Sequence, residues 1–493
     1  MKAFRIHNMK SFIDSNRIEI KPVTIFVGKN SCGKSSLLRF PAVIGQTFLA
    51  RTESPLAFFG KFVDYGSFDS VKHKPLEKQY EKDEIGFEVE YDISKDTFFE
   101  YYMKQNPEDD EFDKIKDNWP EFFETRIVVS IDKPVKQIST KSVLIYWENI
   151  KLASFNRISE HQYEYTIYLN FTEDGYEERQ NTINLDIDVD NMFYFIPMFN
   201  SDDAIELFHD QCIDKYKEKN DEQIEEEVEI FDNQINFASE LVRVTVDTLL
   251  SEAMCMSYIG PFREDPKRIY RDTENDVRDV GAKGENLSTI LLRESENDDG
   301  LIDEISDWLK RNYGYSLEIS PASNGYFNIL LVDKNGIKSN IMDVGYGISQ
   351  VLPIITQLIR TTYVRNRTII KKRDEIVLVE QPELHLHPAA QADLAELITF
   401  SIKEKDSQRI LVETHSEHLI RKLQVLIAQK KYITSDMVAV YSVEKTQDGQ
   451  AVVTKMELNN EGRFLTKWPS GFFDKTHELA SELREANSCG GNL

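Results

Sequence analysis

Apolar residues follow two different periods along the chain, and the N-terminal part shows the period of strands. Residues 84–93 (EIGFEVEYDI) and 125–132 (TRIVVSID) alternate apolar and polar positions, which is typical of half-exposed antiparallel strands. Similar stretches predict strands at 60–71 (GKFVDYGSFDSV), 141–155 (KSVLIYWENIKLASF) and 164–171 (EYTIYLNF). The pattern predicts a β-rich region.

The pattern changes to a helical period at residues of about 203–256. This segment is strongly acidic at first (YKEKNDEQIEEEVEI) and amphipathic later. The charge run favours a solvated helix face, and a partner-binding arm is the alternative. No heptad pattern lasts long enough to predict an extended coiled coil.

From residue 257 onward, short apolar stretches alternate with helical ones, which predicts a parallel sheet and a mixed α/β fold. Strands are predicted at GYFNILLVD, DEIVLVE, RILVET and DMVAVYSVE. Helices are predicted at SQVLPIITQLIRTTYV, AAQADLAELITFSIK and SEHLIRKLQVLIAQ.

One glycine-rich segment fits the phosphate-binding pattern G-x-x-x-x-G-K-[ST] and stands between an apolar strand and a helix. Its glycines let the backbone amides approach a polyphosphate, Lys34 is expected to reach the β- and γ-phosphates, and the Ser35 hydroxyl is expected to ligate Mg²⁺. ATP is favoured because no guanine-reading N-K-x-D is suitably placed. The nucleotide-binding residues predicted here are Gly28, Lys29, Asn30, Ser31, Cys32, Gly33, Lys34, Ser35 and Ser36.

A buried aliphatic stretch ends in Glu380, as a strand carrying a metal-binding acid does. Gln381 follows, where such enzymes usually have a second acid that activates water. A carboxamide orients water but cannot accept its proton, so slow hydrolysis is expected, with Glu383 as a further candidate to reach the water. A second strand ends near His415, a candidate γ-phosphate sensor.

Composition adds limits of a general kind. A net charge of −26 matches duplex DNA poorly as a whole, although a local basic patch would still bind it. The four cysteines show no CxxC spacing, so neither a disulfide framework nor a zinc site is predicted. Without a signal-peptide pattern or a long apolar run, a cytoplasmic protein with no membrane association is expected.

The order of these motifs resembles the ABC-type ATPase heads of SMC, RecF and overcoming-lysogenization-defect (OLD) proteins. More closely, the chain resembles a bacterial family of standalone AAA-type ATPases, whose relatives occur in antiphage systems such as Septu and PARIS. The motifs that carry this resemblance are YIGPFREDPKRIYR (258–271), DVGYGISQVLP (343–353), VEQPELHLHP (379–388), ETHSEH (413–418) and WPSGFFD (468–474).

The resemblance implies roles for individual residues. Glu380 corresponds to the Walker B acid, His415 to the switch histidine, and Gln46 to a Q-loop metal ligand. Gly345 and Gly347 correspond to the signature turn, which in such heads meets the γ-phosphate bound to a second subunit. This turn lacks the usual Ser before its second glycine, and Ser349 and Gln350 are the residues expected to contact phosphate instead.

The predicted architecture is an ABC-type P-loop head with an inserted β-rich and helical lobe. Its predicted segments are an N-terminal ATPase lobe (1–92), an inserted specificity region (93–256), a C-terminal ATPase lobe (257–435) and a terminal WPSGFF region (436–493).

The predicted function is slow ATP hydrolysis with Mg²⁺ by a homodimer or higher oligomer that regulates a separate effector, a nuclease or toxin, in antiphage defence. Fewer than 80 residues follow His415, too few for the nuclease domain of OLD proteins. Two alternatives stay open. One is an SMC- or RecF-like ATPase of DNA repair that binds nucleic acid through the basic stretch 360–373, and the other is a nucleotide-gated scaffold without turnover.

Overall fold

A computed structural model describes most of the 493-residue chain. The residues outside the described part are 51, 53, 76–81, 106–119, 135, 161, 173–174, 187–191, 198–200, 216–220, 274–276, 298–299, 323, 368–374, 404–407, 469–478, 480 and 486–493.

The strands and helices are numbered in chain order. The strands are β1 (Ala3–Met9), β2 (Phe12–Asp14), β3 (Ile18–Glu19), β4 (Val23–Gly28), β5 (Glu84–Ser94), β6 (Phe122–Asp132), β7 (Ser139–Trp147), β8 (Ile150–Arg157), β9 (Gln162–Thr172), β10 (Gly175–Asp186), β11 (Met192–Phe193), β12 (Ile196–Pro197), β13 (Met256–Ile259), β14 (Tyr270–Arg271), β15 (Tyr315–Pro321), β16 (Tyr326–Asp333), β17 (Lys338–Asn340), β18 (Glu375–Glu380), β19 (Gln408–Glu413), β20 (Val438–Lys445) and β21 (Ala451–Lys455). The helices are α1 (Lys34–Leu49), α2 (Phe68–Val71), α3 (Lys95–Gln105), α4 (Ser201–Lys215), α5 (Asp221–Met254), α6 (Leu287–Asn297), α7 (Leu301–Tyr313), α8 (Tyr346–Arg367), α9 (Pro388–Lys403) and α10 (Glu417–Ala428).

The chain divides into two units by its internal contacts. The first contains Met1–Glu19, Val43–Gly60 and Asp64–Met254. The second contains Ile20–Ala42, Lys61–Val63 and Cys255–Leu493. These units group residues differently from the four segments proposed from the sequence, which remain a prediction.

The first unit is built on a nine-stranded antiparallel sheet in the order β10-β9-β8-β7-β6-β5-β1-β2, with β3 paired to β1. Buried and partly exposed positions alternate along β6, as in a sheet covered on one face. The strands predicted at 84–93, 125–132 and 164–171 are present as β5, β6 and β9. The predicted helical segment is also present, as α4 and the 34-residue α5. No described helix is long and apolar enough to cross a membrane.

Two strand predictions in this part of the chain need correction. Residues 141–155 form a hairpin of β7 and β8, because Glu148 and Asn149 take φ values of 47° and 67° and make the two-residue turn that matches strand twist. Residues 60–71 do not form a strand, because Asp64 makes only an isolated bridge with Phe59 and the short helix α2 follows. Gly66 turns this segment at φ +99° with its N–H bonded to the Asp64 carboxylate, which ends the alternation.

The second unit is built on a six-stranded sheet in the order β13-β18-β19-β4-β20-β21. All neighbouring pairs except β20 and β21 are parallel. Every residue of β4 is buried, as are most of β18 and β19, so these strands are covered on both faces. The prediction of a parallel sheet and an α/β fold is therefore confirmed.

One predicted member of the parallel sheet lies elsewhere. Residues 326–333 form β16, which pairs antiparallel with β14, β15 and β17 in a separate four-stranded sheet. Its alternating burial shows one covered face, unlike the fully buried strands of the parallel sheet. The glycine-bounded apolar pattern of this segment indicated a strand but not its partner.

The parallel register brings three strand ends to one edge of the sheet. Glu380 at the end of β18 pairs with Glu413 at the end of β19, and Glu413 in turn pairs with Phe26 near the end of β4. The segment that follows β4 is the predicted phosphate loop. The candidate site is therefore assembled at this edge, as in open α/β sheets generally.

Candidate functional site at the edge of the parallel sheet

The predicted phosphate loop, residues 28–36, connects β4 to α1 and takes a backbone that requires glycine. Gly28 has a φ of +143°, and a Cβ added there would lie 2.2 Å from the Val443 carbonyl oxygen of β20. Gly33 has a φ of +111°, and its carbonyl accepts the N–H of Ser36 at 3.0 Å in the first turn of α1. Lys29, Asn30 and Ser31 are exposed at the tip of the loop.

Lys34 is held inside the loop. It is 3% exposed, and its Nζ donates to the Lys29 carbonyl at 2.7 Å, as a lysine curled under its own loop does. Cys32 is buried beside it, and its thiol donates to the same carbonyl at 2.9 Å. Cys32 therefore fills space and braces the loop. Ser35 and Ser36 are partly exposed at the start of α1.

Glu380 is buried at the end of β18 and carries a dense set of hydrogen bonds. Arg39 on α1 donates from Nε to Oε1 at 2.5 Å and from Nη2 to Oε2 at 2.7 Å, a bidentate pair. Tyr258, on the neighbouring strand β13, donates its hydroxyl to Oε1 at 2.7 Å. The hydrogen bond to Glu380 raises the pKa of Arg39, and burial together with the Glu380 charge raises the pKa of Tyr258.

Arg263 fixes the backbone that follows Glu380. Its Nη2 donates to the Glu380 carbonyl at 2.9 Å and to the Gln381 carbonyl at 3.3 Å. Burial lowers the pKa of Arg263 to about 10. Gln381 takes a φ of +43°, a strained value for a residue with a Cβ, and its N–H donates to the Glu413 carbonyl at 2.8 Å. The backbone of Gln381 is therefore fixed from two sides, by the Arg263 side chain and by the Glu413 carbonyl.

Glu383 holds the loop that carries His415. One carboxylate oxygen accepts the Thr414 hydroxyl at 2.9 Å, and the other accepts the His415 backbone N–H at 2.6 Å. Burial raises the pKa of Glu383. Both oxygens are thus engaged in positioning the neighbouring loop, and a direct role for Glu383 in activating water stays a prediction.

His415 is neutral at pH 7 in this setting. Burial and then the nearby positive charge of Lys34 lower the pKa of its imidazole to about 4. Such an imidazole offers one N–H donor and one acceptor rather than a positive charge. This suits a residue that hydrogen-bonds a phosphate oxygen without adding charge.

Glu413, which sequence reasoning did not select, lies between the phosphate loop and Glu380. It is 2% exposed, and its Oε1 lies 3.9 Å from the Lys34 Nζ. Burial raises the pKa of this carboxyl, while a hydrogen bond from Ser35 and the charge of Lys34 oppose the rise. The sequence did contain a signal for Glu413, because this acid ends a buried apolar strand just as Glu380 does.

The predicted signature turn lies between β17 and α8, and its leading residues face solvent. Gly345 is exposed and a Cβ added there would meet no atom within 4 Å. Gly347 is more confined, since a Cβ there would lie 3.0 Å from the His385 carbonyl oxygen. Ser349 and Gln350 are 5% and 3% exposed, so the exposed residues of the turn are Asp343, Gly345 and Tyr346. Phosphate contacts by Ser349 and Gln350 stay a prediction.

The segment after β13 braces this turn through two polar contacts. Arg268 makes a bidentate ion pair with Asp343 at 2.7 and 2.9 Å, and the Tyr346 hydroxyl donates to Asp265 at 2.5 Å. The Tyr346 ring also meets His385 edge-on, with centroids 5.1 Å apart. The motif at 258–271 therefore supports both the Glu380 strand end and the glycine turn.

The remaining predictions concern Gln46, the WPSGFFD motif and the basic stretch. Gln46 belongs to the first unit and is 1% exposed, and its side-chain amide donates to the Ala57 carbonyl at 2.5 Å. A metal contact by Gln46 stays a prediction. Trp468 stacks edge-on against Phe464, while 469–474 of the WPSGFFD motif lie outside the described residues. Of the basic stretch 360–373, residues 368–373 also lie outside them.

The side chains at this edge of the sheet are of the types that bind a nucleoside triphosphate with Mg²⁺. A lysine, loop amides and a serine hydroxyl are ligands for phosphate and for a hard cation, and carboxylate oxygens complete such a set. Among the described residues, no group of three or more His, Cys, Asp or Glu side chains is arranged to hold a metal alone.

A family model described as "AAA ATPase domain" matches residues 1–420. The chain belongs to the AAA ATPase domain family. A second model, described as a protein of unknown function (DUF3696), matches residues 433–483 of this AAA ATPase. A search of curated proteins finds no match.

Among solved structures, this AAA ATPase is similar to SMC head domains. One is an SMC head bound to the C-terminal winged-helix domain of ScpA, with 12% identity, a TM-score of 0.37 and coverage of 93% of this chain and 97% of that one. A Pyrococcus furiosus SMC head with an extended coiled coil, bound to the C-terminal domain of ScpA, has 11% identity, a TM-score of 0.38 and coverage of 98% and 99%. The Thermotoga maritima SMC head domain has 9% identity, a TM-score of 0.37 and coverage of 93% and 99%.

We predict that Gly28→Ala lowers ATP affinity at least about tenfold, because the added Cβ overlaps the Val443 carbonyl and the φ of +143° excludes an L side chain. A fluorescent ATP analogue titrated at a protein concentration that keeps the chain monomeric measures this. Gly345→Ala is the matched control, since its Cβ meets no atom within 4 Å. An unchanged affinity in Gly28→Ala would contradict the loop geometry described here.

Proposed function

We propose that the chain binds ATP and Mg²⁺ at the edge of the parallel sheet and hydrolyses the nucleotide slowly. The observation that supports this most is the convergence of the glycine loop, the buried Lys34 and the strand-end acids Glu380 and Glu413 at one edge. In this assignment Lys34 and the loop amides bind phosphate. Ser35 and a strand-end acid, Glu380 in the assignment made from the sequence, hold the metal.

Slow turnover follows from the residue after Glu380. Gln381 is fixed by its backbone contacts to Glu413 and Arg263, so its carboxamide is available to orient water but has no group to accept the proton. A missing general base costs about 10²–10⁴-fold in rate. The neutral His415 adds a hydrogen bond near the phosphate but does not replace a carboxylate base in this assignment.

We predict that Gln381→Glu raises the turnover number by about 10²-fold, because it restores an acceptor for the proton of the attacking water. Phosphate release is measured for wild type, Gln381→Glu and Lys34→Ala, with Lys34→Ala as the background control because it removes the phosphate-binding ammonium. A wild-type rate equal to that of Lys34→Ala would refute hydrolysis and leave a nucleotide-gated scaffold.

We further propose that two copies enclose ATP head to tail, with the glycine turn of one copy facing the phosphate loop of the other. The exposure of Gly345 and Tyr346 supports this, because a turn that contacts a ligand on another subunit has to face outward. The ion pair of Arg268 with Asp343 and the Tyr346–Asp265 hydrogen bond hold the turn in a defined shape, which lowers the conformational cost of such a contact.

We predict that Gly345→Tyr abolishes ATP-dependent dimerisation without lowering the melting temperature, because its side chain starts in open space but obstructs a facing subunit. Sedimentation velocity with a non-hydrolysable ATP analogue and Mg²⁺ measures the mass. Lys34→Ala should also stay monomeric, because its loop no longer binds the phosphates.

Mixing these two variants provides the decisive control. A head-to-tail pair of Lys34→Ala with Gly345→Tyr contains one composite site in which both parts are intact. Mixed dimers should therefore form more readily than dimers of either variant alone, although the substituted turn still obstructs the second site. Dimerisation of Gly345→Tyr alone at the wild-type concentration would contradict the proposed interface.

We propose, from the family resemblance, that this dimer controls a separate effector in antiphage defence. Expression with the native gene neighbourhood, followed by purification through a tag on this chain, is predicted to retain a separate nuclease- or toxin-like protein. Lys34→Ala tests whether retention depends on nucleotide. Degradation of DNA by the purified chain alone, or recovery of this chain without any partner, would contradict the proposal.

A further inference from the structure

Glu413 occupies the central position among the strand ends of the candidate site. Its strand, β19, lies between β18, which ends in Glu380, and β4, which leads into the phosphate loop. The Thr414 N–H donates to the Phe26 carbonyl of β4 at 3.1 Å, so the end of β19 is tied directly to the strand that carries the loop. Glu413 therefore lies one strand nearer to the loop than Glu380 does in the order of the sheet.

The two carboxylate oxygens of Glu413 have different surroundings. Oε1 lies 3.9 Å from the Lys34 Nζ, and Ser35 follows Lys34 directly in the first turn of α1. Oε2 is buried and has no hydrogen-bond partner among the described residues. An unpartnered buried carboxylate oxygen is costly and rare in folded proteins, and it indicates that a ligand or an ordered water satisfies it.

Glu380 differs from Glu413 in this respect. Both of its oxygens already accept hydrogen bonds, from the Arg39 guanidinium and the Tyr258 hydroxyl at 2.5–2.7 Å. A bidentate guanidinium also balances the negative charge of the carboxylate. A cation at Glu380 would have to displace these hydrogen-bond donors or share the oxygens with them. A cation at Glu413 would meet Oε2, which accepts no hydrogen bond from the described residues.

We propose that Glu413, together with the Ser35 hydroxyl, holds the Mg²⁺ that accompanies the nucleotide, and that Glu380 instead anchors Arg39 beneath the site. The inference rests on the proposed nucleotide binding and changes the identity of its metal-binding acid. Mg²⁺ prefers oxygen ligands, keeps several waters and takes only one or two carboxylates from a protein when phosphates supply the rest. A hydroxyl and a single carboxylate beside the lysine of the phosphate loop match that requirement.

The test compares the same substitution at the two paired positions. Glu413→Gln and Glu380→Gln each remove one charge and keep the size of the side chain. Two quantities are measured: the affinity for a fluorescent, non-hydrolysable ATP analogue without metal, and the electron paramagnetic resonance titration of Mn²⁺ into the nucleotide complex.

We expect Glu413→Gln to bind the nucleotide without metal at least as well as wild type and to need at least about tenfold more Mn²⁺ for half-saturation. Ser35→Ala should act on the same step, so that adding it to Glu413→Gln produces less than the product of the two separate effects. Mn²⁺ half-saturation that is unchanged in Glu413→Gln overturns the inference, whether or not Glu380→Gln shifts it.

Two controls separate this outcome from other failures. Glu413→Asp keeps the charge but shortens the side chain, which moves the carboxylate oxygens away from the metal position. If Glu413→Gln does not fold, a folded Glu413→Asp protein with weakened Mn²⁺ binding still supports the inference. A wild-type protein that binds nucleotide no better than Lys34→Ala would refute the proposed function itself. Normal nucleotide binding with metal affinity insensitive to both Glu413 variants would refute only the assignment of Glu413.

Discussion

The parallel register of β18, β19 and β4 is the constraint on which the candidate site depends. Because Glu380 pairs with Glu413 and Glu413 with Phe26, the two acids and the phosphate loop end at one level of the sheet. β20 adds a second fixed limit, since the Val443 carbonyl leaves room at position 28 for glycine alone. The loop is therefore shaped by the strands on both sides of β4 as well as by its own sequence.

Burying the charged side chains at this edge lowers the stability of the folded protein. Lys34, Arg263, Glu380, Glu383 and Glu413 are all at most 8% exposed, and desolvation opposes the charged form of such groups. Buried ion pairs are often no more stabilising than well-packed apolar residues of similar volume. Their concentration at the end of a parallel sheet, beside a loop that exposes its backbone, is the pattern expected of a ligand site rather than of a core.

The sequence predicted the local elements of this site but not the contacts between them. The phosphate loop, the buried strands ending at Glu380 and Glu413, and the helices that follow were all indicated by local periodicity. Arg39, Tyr258 and Arg263 were not selected, because their partner at Glu380 is more than 100 residues away in the sequence and no local pattern encodes that pairing. For the same reason the strand at 326–333 was recognised, while its membership of a separate antiparallel sheet was not.

The structural setting of Gln381 connects the proposed chemistry with the proposed biological behaviour. Its left-handed backbone and its bond to the Glu413 carbonyl place it directly after one acid and against the strand end of the other. A loss of 10²–10⁴-fold in rate corresponds to a barrier higher by about 3–5 kcal/mol. On the proposed function, that barrier prolongs the ATP-bound state relative to hydrolysis without weakening the phosphate and metal contacts that form it. A subunit interface that closes on the triphosphate would then persist long enough to act as a signal to a partner.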